Sequence, residues 1–423
     1  MNSRTLDFLN RHGMNPEHIN PLQCAEPMLR DMWQGLRGKE SSMAMIPTYL
    51  SNDGMVEAGS SAVVIDAGGT NFRTALLTFE EGGYKLEGLK KQPMPGIGKP
   101  CTWEEFVSFV ADNVEPFMAK TDVIGFCFSY SAVILPNMDG RVNRIDKEVV
   151  VTGSEGQLVG ESLSRELERR GWPGKRVVVL NDTVAVLLGG AASIDKSQYS
   201  GFIGQVSGTG TNTCATVRRS DIEKLGLEGE GGMIINLESG QYNGFVRGDF
   251  DLQLDAASNN PGEKQMEKIT AGVYLGQLCR LMLRAAADEG MLSAEGAEKV
   301  RALGNIDSAV IDAWASGEGY ENIGDNEQDQ ELAREFSLAV FERSARCMCT
   351  NLVALSLLMD AGREKPVCVL AEGSLVQRGR HYRPVLERLL NECGEALDIK
   401  IELHVGNDTT QPGSAAAALL NLK

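Results

Sequence analysis

Apolar positions along this chain follow two rhythms. Short, nearly continuous apolar and β-branched runs recur at 62–65, 74–79, 122–129, 176–180, 201–206, 213–217, 232–236, 368–371 and 400–404. Runs of that length broken by Gly, Asn, Asp or Ser predict buried strands. Elsewhere the apolar residues are spaced by three and four, as at Ile19, Leu22, Met28, Leu29, Met32 and Leu36, which predicts helix through much of 1–50 with Gly38 as a stop. The same spacing predicts helices at 102–118, at 161–170 closed by Gly171, at 263–288, at 328–359 as one helix or two, around 383–390, and across 415–420. Strands alternating with helices predict an α/β architecture, in which ligands bind where strands end. At 423 residues the chain is too long for one small core, so two or three domains are expected.

The strand ends carry the polar residues of interest. The run at 62–65 leads into Asp66-Ala-Gly-Gly-Thr-Asn-Phe-Arg73 and then into 74–79, a strand, a turn and a strand. Gly68 and Gly69 free the turn's backbone angles and, lacking β-carbons, let an anion approach the main-chain N–H groups. Asp66 is then placed to hold a metal ion through water, and Thr70, Asn71 and Arg73 add polar or cationic contacts. An ordinary hairpin with a glycine turn fits the same octapeptide. A second turn, Ser207-Gly208-Thr209-Gly210-Thr211-Asn212, lies between 201–206 and 213–217 and repeats the pattern. Such self-similarity suggests two related halves facing one another, although all-β folds also repeat hairpins. The strand at 176–180 delivers Asn181 and Asp182. A carboxylate there can accept a proton from a substrate hydroxyl, or it can cap the helix that begins near Thr183. Thr209 and Asn212 can contact phosphate and sugar or satisfy their own turn. Glu238 and Glu267 can each accept two hydroxyl hydrogen bonds or stand as solvated acids.

Composition narrows the function classes. With 42% hydrophobic and 23% charged residues the chain reads as globular, and its net charge of −17 argues against a nucleic-acid or anionic-membrane surface. An anionic substrate must therefore be held locally. The first ten residues lack the basic-then-apolar order of a signal peptide, and no apolar run approaches the roughly 20 residues of a membrane span. Nine cysteines without CxxC spacing, often inside apolar runs as at Cys127 and Cys368, fit reduced thiols in a cytoplasmic protein.

Taken together, these motifs resemble the hexokinase family, within the actin-like ATPase (ribonuclease H-like) superfold, as a divergent member of bacterial type. The resemblance runs from about 61 to 420. Asp66 to Arg73 is similar to the family's first phosphate motif, Asn181-Asp-Thr-Val184 to its catalytic strand end, and Gly208-Thr-Gly-Thr-Asn212 to its second phosphate motif. Ile235-Asn-Leu-Glu238 is similar to the sugar-binding segment, Ala371-Glu-Gly-Ser374 to the adenosine segment, and the stretch from Asp249 through Glu267 to Gly276 is close to the family along its length.

The resemblance implies an α/β, two-lobed fold with a central cleft, and an ATP-dependent kinase that phosphorylates the 6-hydroxyl of a hexose, glucose first among them. Asp182 would be the base. Ser129, Asp146, Lys147, Asn181, Asn212, Glu238 and Glu267 would bind the sugar. Asp66, Gly68, Gly69, Thr70, Asn71, Arg73, Gly208, Thr209, Gly210, Gly373 and Ser374 would hold the nucleotide, with Mg²⁺ near Asp66. The smaller lobe would comprise 61–184 with 408–423, the larger 1–60 with 185–407, and lobe closure would exclude water. Partners would be a hexose and Mg-ATP, with no nucleic acid or membrane, in a monomer or homodimer.

Departures bear on the substrates. Asp146 stands before Lys147 where the family has Thr, Ser129-Tyr130-Ser131 replaces Ser-Phe-Pro, Ser239 replaces Trp after Glu238, and Asp408 to Ala415 replaces a glycine-rich pattern. The hexose and the phosphoryl donor stay open at this point. A kinase for a different hexose or sugar derivative, a catalytically weak sugar sensor, and another actin-like ATPase such as a chaperone or filament protein remain alternatives. The sensor would lack Asp182 or the phosphate glycines, and the other ATPase would lack Asn181-Asp182, Glu238 and Glu267.

Overall fold

A computed structural model describes residues 1–145 and 149–422. Its frame is one sheet pattern used twice. Strand Ser61–Ala67 pairs antiparallel with Asn71–Glu80 and parallel with Val123–Phe128, which pairs parallel with Arg176–Leu180, and Gly83–Pro93 extends the sheet beyond Asn71–Glu80. Strand Gly201–Ser207 pairs antiparallel with Thr211–Arg218 and parallel with Val367–Glu372, which pairs parallel with Ile401–Val405, and Gly232–Asn236 extends that sheet. The two-residue strand Ile46–Pro47 adds a sixth member to the second sheet. The repeat suggested by two glycine turns thus covers five strands in the same order and direction.

Burial explains why the inner strands read as continuous apolar runs. Along Ser61–Ala67, Val63, Ile65 and Ala67 enter a core shared with Phe106, Val110 and Leu163, whereas Ala62 and Val64 enter one shared with Val184, Ala185 and Ala415 to Ala418. A strand covered on both faces has no polar side to alternate with. The largest core surrounds the second sheet and includes Phe336, Val340, Leu352 and Leu355 of the helix Glu327–Leu358. That helix is a single element of 32 residues, most of whose positions are buried, polar ones such as Glu335, Arg343 and Asn351 included.

Two helices tie the sheets together. Asp182–Ala191 follows the last strand of the first sheet and packs on Gly201–Ser207 of the second, while Thr410–Asn421 follows the second sheet and packs on Ser61–Ala67 and Val123–Phe128 of the first. Glycines let these backbones meet. A β-carbon on Gly125 would collide with the Ser414 carbonyl, one on Gly413 with the Ala185 carbonyl, and one on Gly204 would lie 2.6 Å from the Thr183 carbonyl.

Several elements differ from expectation. Helix in 1–50 is confined to Ser3–Arg11, a short turn, and Pro21–Leu36. The edge strand Gly83–Pro93 has no apolar run because it is mostly exposed and carries Lys85, Lys90 and Lys91, residues that protect an open edge. A small hairpin, Ser131–Ile134 with Gly140–Arg144, follows strand Val123–Phe128 where no apolar run predicts a strand. The helix expected at 263–288 breaks at Ala271, whose backbone is extended, into Gln265–Thr270 and Gly272–Asp288. No helix among the described residues is long and apolar enough to cross a membrane.

Candidate active site

The first glycine turn is tightly built. Asp66 and Arg73 face each other in the hairpin register, and the Gly68 N–H donates to the Asn71 carbonyl at 3.1 Å. Gly68 does not take a left-handed conformation, and a β-carbon there would make only ordinary contacts, 3.6 Å from the Asn71 carbonyl and 3.7 Å from Asp66 Oδ1. The folded chain by itself therefore does not require glycine at 68. Beside it, Thr70 and Asn71 are exposed.

Around this turn acidic groups converge from both sheets. The Arg73 guanidinium lies 4.0 Å from Asp66 and 3.8 Å from Asp408. Burial pushes the Asp66 carboxyl up to about 6; Arg73 opposes the rise, and the charges of Asp182, Asp408 and Glu372 add to it. Glu372 ends the strand Val367–Glu372 and accepts the Thr409 N–H at 2.6 Å, which anchors the loop whose Asp408 faces Arg73.

Asn181 is the cap of helix Asp182–Ala191, accepting the Thr183 N–H at 2.9 Å. Asp182 is the first helical residue, with Oδ1 accepting the Thr183 N–H at 2.7 Å and its hydroxyl at 3.2 Å. Its charge reaches Asp66 on one side and Glu238 on the other.

The expected sugar-binding residues of the second sheet form one network. Asn212 Nδ2 donates to Asn236 Oδ1 at 2.7 Å, and Asn236 Nδ2 donates to Glu238 Oε1 at 2.9 Å. Asn212 Oδ1 in turn accepts the N–H groups of Thr213 at 2.8 Å and Ser239 at 3.2 Å. Glu238 sits in the left-handed region at φ 57°, a conformation costly for a side chain of its size and concentrated at functional sites. Burial raises its carboxyl above the ordinary range; the Asn236 bond opposes this, Asp182 and Glu267 raise it further, and Lys264 lowers it. Glu267 accepts the Thr211 N–H at 3.1 Å and lies 3.4 Å from Lys264.

The second glycine turn leans on the expected adenosine segment. A β-carbon on Gly208 would be 3.4 Å from Gly373 Cα and Ser374 N, and Gly373, at φ 117°, leaves no room for one of its own against the Ser207 carbonyl. Gly210 is held open for a different reason, since its β-carbon would lie 3.0 Å from Glu267 Oε2. Thr209 between them is exposed. Ser129 follows strand Val123–Phe128 and donates its N–H to Ala67 beside the first turn. Asp146 and Lys147 lie outside the described residues.

Two participants were missed in the sequence. Asn236 joins Asn212 to Glu238, and the signal was its position two residues before Glu238 at a strand end, where alternate residues share a face. Tyr130, whose hydroxyl reaches the Gly68 carbonyl of the first turn, stood out in the sequence only as a departure within Ser129-Tyr130-Ser131.

Twin five-stranded sheets with paired connecting helices and glycine turns at corresponding strand ends define the two-lobed actin-like ATPase fold. Solved structures agree. One titled "Crystal structure of Hexokinase" superimposes over all of both chains with a TM-score of 0.82 at 20% identity, and the glucose complex of the hexokinase from Schistosoma mansoni over 98% of this chain and 99% of that one, with a TM-score of 0.75 at 21% identity. The chain belongs to the hexokinase family: two hexokinase family models match it, over residues 7–192 and 202–420. Hexokinase-1 of Nicotiana tabacum is 27% identical across 94% of this chain and 87% of its own length, and Hexokinase-1 of Saccharomyces cerevisiae 26% identical across 92% and 86%. It is accordingly a hexose kinase, a phosphotransferase that uses ATP as co-substrate.

Proposed function

We propose that this enzyme transfers the γ-phosphate of ATP to the 6-hydroxyl of glucose, with Asp182 as the base. The carrying observation is the position of Asp182, whose charge acts on both Asp66 at the first glycine turn and Glu238 in the Asn212–Asn236–Glu238 network. A hydroxyl held by that network and a phosphate held at that turn would meet at Asp182. Ser129, Asn181, Asn212, Glu238 and Glu267 bind the sugar in this reading, together with Asp146 and Lys147. Carboxylates suit it because each accepts two hydroxyl hydrogen bonds.

Gly68, Gly69, Thr70, Asn71 and Arg73 receive the terminal phosphates, and Gly208, Thr209, Gly210, Gly373 and Ser374 the rest of the nucleotide. The unrequired glycine at 68 supports a turn shaped for a ligand. Mg²⁺ fits the donor set. Asp66, Asp182, Asp408 and Glu372 supply oxygens in excess of the charge of Arg73, yet no group of three or more ligating side chains among the described residues forms a metal cage. That pattern suits an ion held through water and phosphate oxygens, with Asp66 as its protein contact. Bound there, Mg²⁺ would neutralise the triphosphate charge.

The lobes in this reading are 61–184 with 408–423, and 1–60 with 185–407, closing on the sugar so that water does not compete for ATP. Nine free cysteines, seven of them buried, support a reducing, cytoplasmic setting. The test is a coupled ADP-release assay across a hexose panel, with wild type and Asp182→Ala. Wild type should release ADP only with hexose, fastest with glucose. Asp182→Ala should lose about 10²- to 10⁴-fold in kcat, the usual span for a general base, while largely keeping glucose affinity. Binding without turnover in the wild type would indicate a sensor, hexose-independent hydrolysis a different ATPase, and retained turnover in the variant would remove Asp182 from the role of base.

A further inference from the structure

We propose that Tyr130 is a positioning residue for the phosphate-facing side of the first glycine turn, acting through the two carbonyls that its hydroxyl reaches. The inference rests on reading 68–71 as the turn that meets the terminal phosphates. Strand Val123–Phe128 runs parallel to Ser61–Ala67 with Phe128 opposite Ala67, and the Ser129 N–H donates to the Ala67 carbonyl at 3.2 Å. This register delivers the next side chain to the turn. Tyr130 is only 6% exposed and packs edge-on against Phe128 with ring centroids 5.2 Å apart. Its hydroxyl oxygen lies 2.8 Å from the Gly68 carbonyl and 3.3 Å from the Gly69 carbonyl, so the single O–H donates chiefly to Gly68 and is shared with Gly69.

The consequence follows from peptide planarity. In a trans peptide the C=O and the next N–H point in opposite directions within one plane. Holding the Gly68 carbonyl toward Tyr130 turns the Gly69 N–H away from it, and holding the Gly69 carbonyl does the same for Thr70. Those two N–H groups are donors that the turn can present to a phosphate. Glycine has the greatest backbone freedom of any residue, so the peptide planes at 68 and 69 are the ones most able to flip. Each flip would replace a donor with a carbonyl oxygen facing an anion. The Tyr130 hydroxyl removes that freedom before nucleotide arrives, which is preorganisation of the kind that aids a charged transition state. The Gly68 N–H bond to the Asn71 carbonyl would still hold the turn, so loss of the hydroxyl should slow the reaction without abolishing it.

The test uses full-length Tyr130→Phe, which keeps the ring and removes one oxygen, alongside Gly69→Val, which places a branched side chain on the turn. MgATP is varied at saturating glucose, glucose affinity is measured by titration without nucleotide, and tripolyphosphate serves as a competitive inhibitor that probes the phosphates alone. In Tyr130→Phe, kcat/KM for MgATP should fall about 3- to 10-fold, the effect of one neutral hydrogen bond. The inhibition constant for tripolyphosphate should rise in step and glucose affinity should stay within twofold. An impaired Gly69→Val with an unaffected Tyr130→Phe overturns the role of Tyr130 and leaves the phosphate turn standing. Wild-type behaviour in both overturns the reading of the turn itself. A parallel loss of glucose affinity in Tyr130→Phe also overturns the proposal, because it would mark a general collapse of the wall and not a change in the turn's donors.

Discussion

At the scale of single residues, Glu238 shows an acid working against the fold. It is half-buried at a left-handed backbone position beside two other acids, and its proton is held more tightly than in an exposed glutamate. Because the folded state binds that proton more strongly than the unfolded chain, the group costs nothing at low pH. Its cost appears as pH rises through the shifted titration and is complete above it. Glu238→Gln keeps an oxygen to accept from Asn236 Nδ2 while removing the charge. The thermal midpoint of the variant should therefore exceed that of wild type at pH 8, with the difference vanishing toward pH 4, while glucose affinity falls. Calorimetric scans across pH check this, and equal midpoints at pH 8 would show that the burial is compensated. Glu238 itself was legible in sequence because it stands in a short motif at a strand end. The link from Asn212 to Asn236 and the reach of the Tyr130 hydroxyl to Gly68 were not, since each joins chain segments that only the fold brings within 3 Å.

At the scale of elements, strands with covered faces were legible and the exposed one was not. Val63 to Ile65 and, although on a sheet edge, Val177 to Leu180 are covered on both faces and are apolar throughout, whereas Gly83–Pro93 is mostly exposed and is free to be polar. The break at Ala271 was equally invisible, because the residues on either side keep helical spacing. What holds the elements together in the middle is close backbone approach. Gly125 sits where a β-carbon would strike the Ser414 carbonyl of helix Thr410–Asn421, and neither partner is a flexible side chain that can yield. Gly83, in an ordinary conformation, has nothing within 4 Å of its β-carbon position. Gly125→Ala should lower stability by about 1–3 kcal/mol, the usual cost of overpacking, whereas Gly83→Ala should be near neutral. Urea midpoints with unchanged slopes would measure the difference, and equal midpoints would mean that the helix shifts without cost.

At the scale of the whole molecule, the acidic cleft suggests why the sugar itself should drive closure. Asn181 and Asp182 end the last strand of the first sheet, whereas Asn212, Glu238 and Glu267 belong to the second sheet and the segment after it. Bringing the sides together crowds Asp182 against Glu238, in a chain whose net charge is already −17. Like charges resist that approach, and the resistance is only partly screened where water is thin. In the proposed reading a hexose would change the balance, because its hydroxyls would donate to carboxylates from both sides, so that it would bind a closed arrangement better and shift the population toward it. The radius of gyration from small-angle scattering should fall when glucose saturates the wild type, without nucleotide. In a Glu238→Gln, Glu267→Gln double variant the repulsion is relieved but the strong acceptors are gone, so the sugar-dependent change should shrink even at glucose concentrations that fill the site. An unchanged radius in wild type with glucose bound would place the two sheets in one rigid arrangement and leave water exclusion to the local loops.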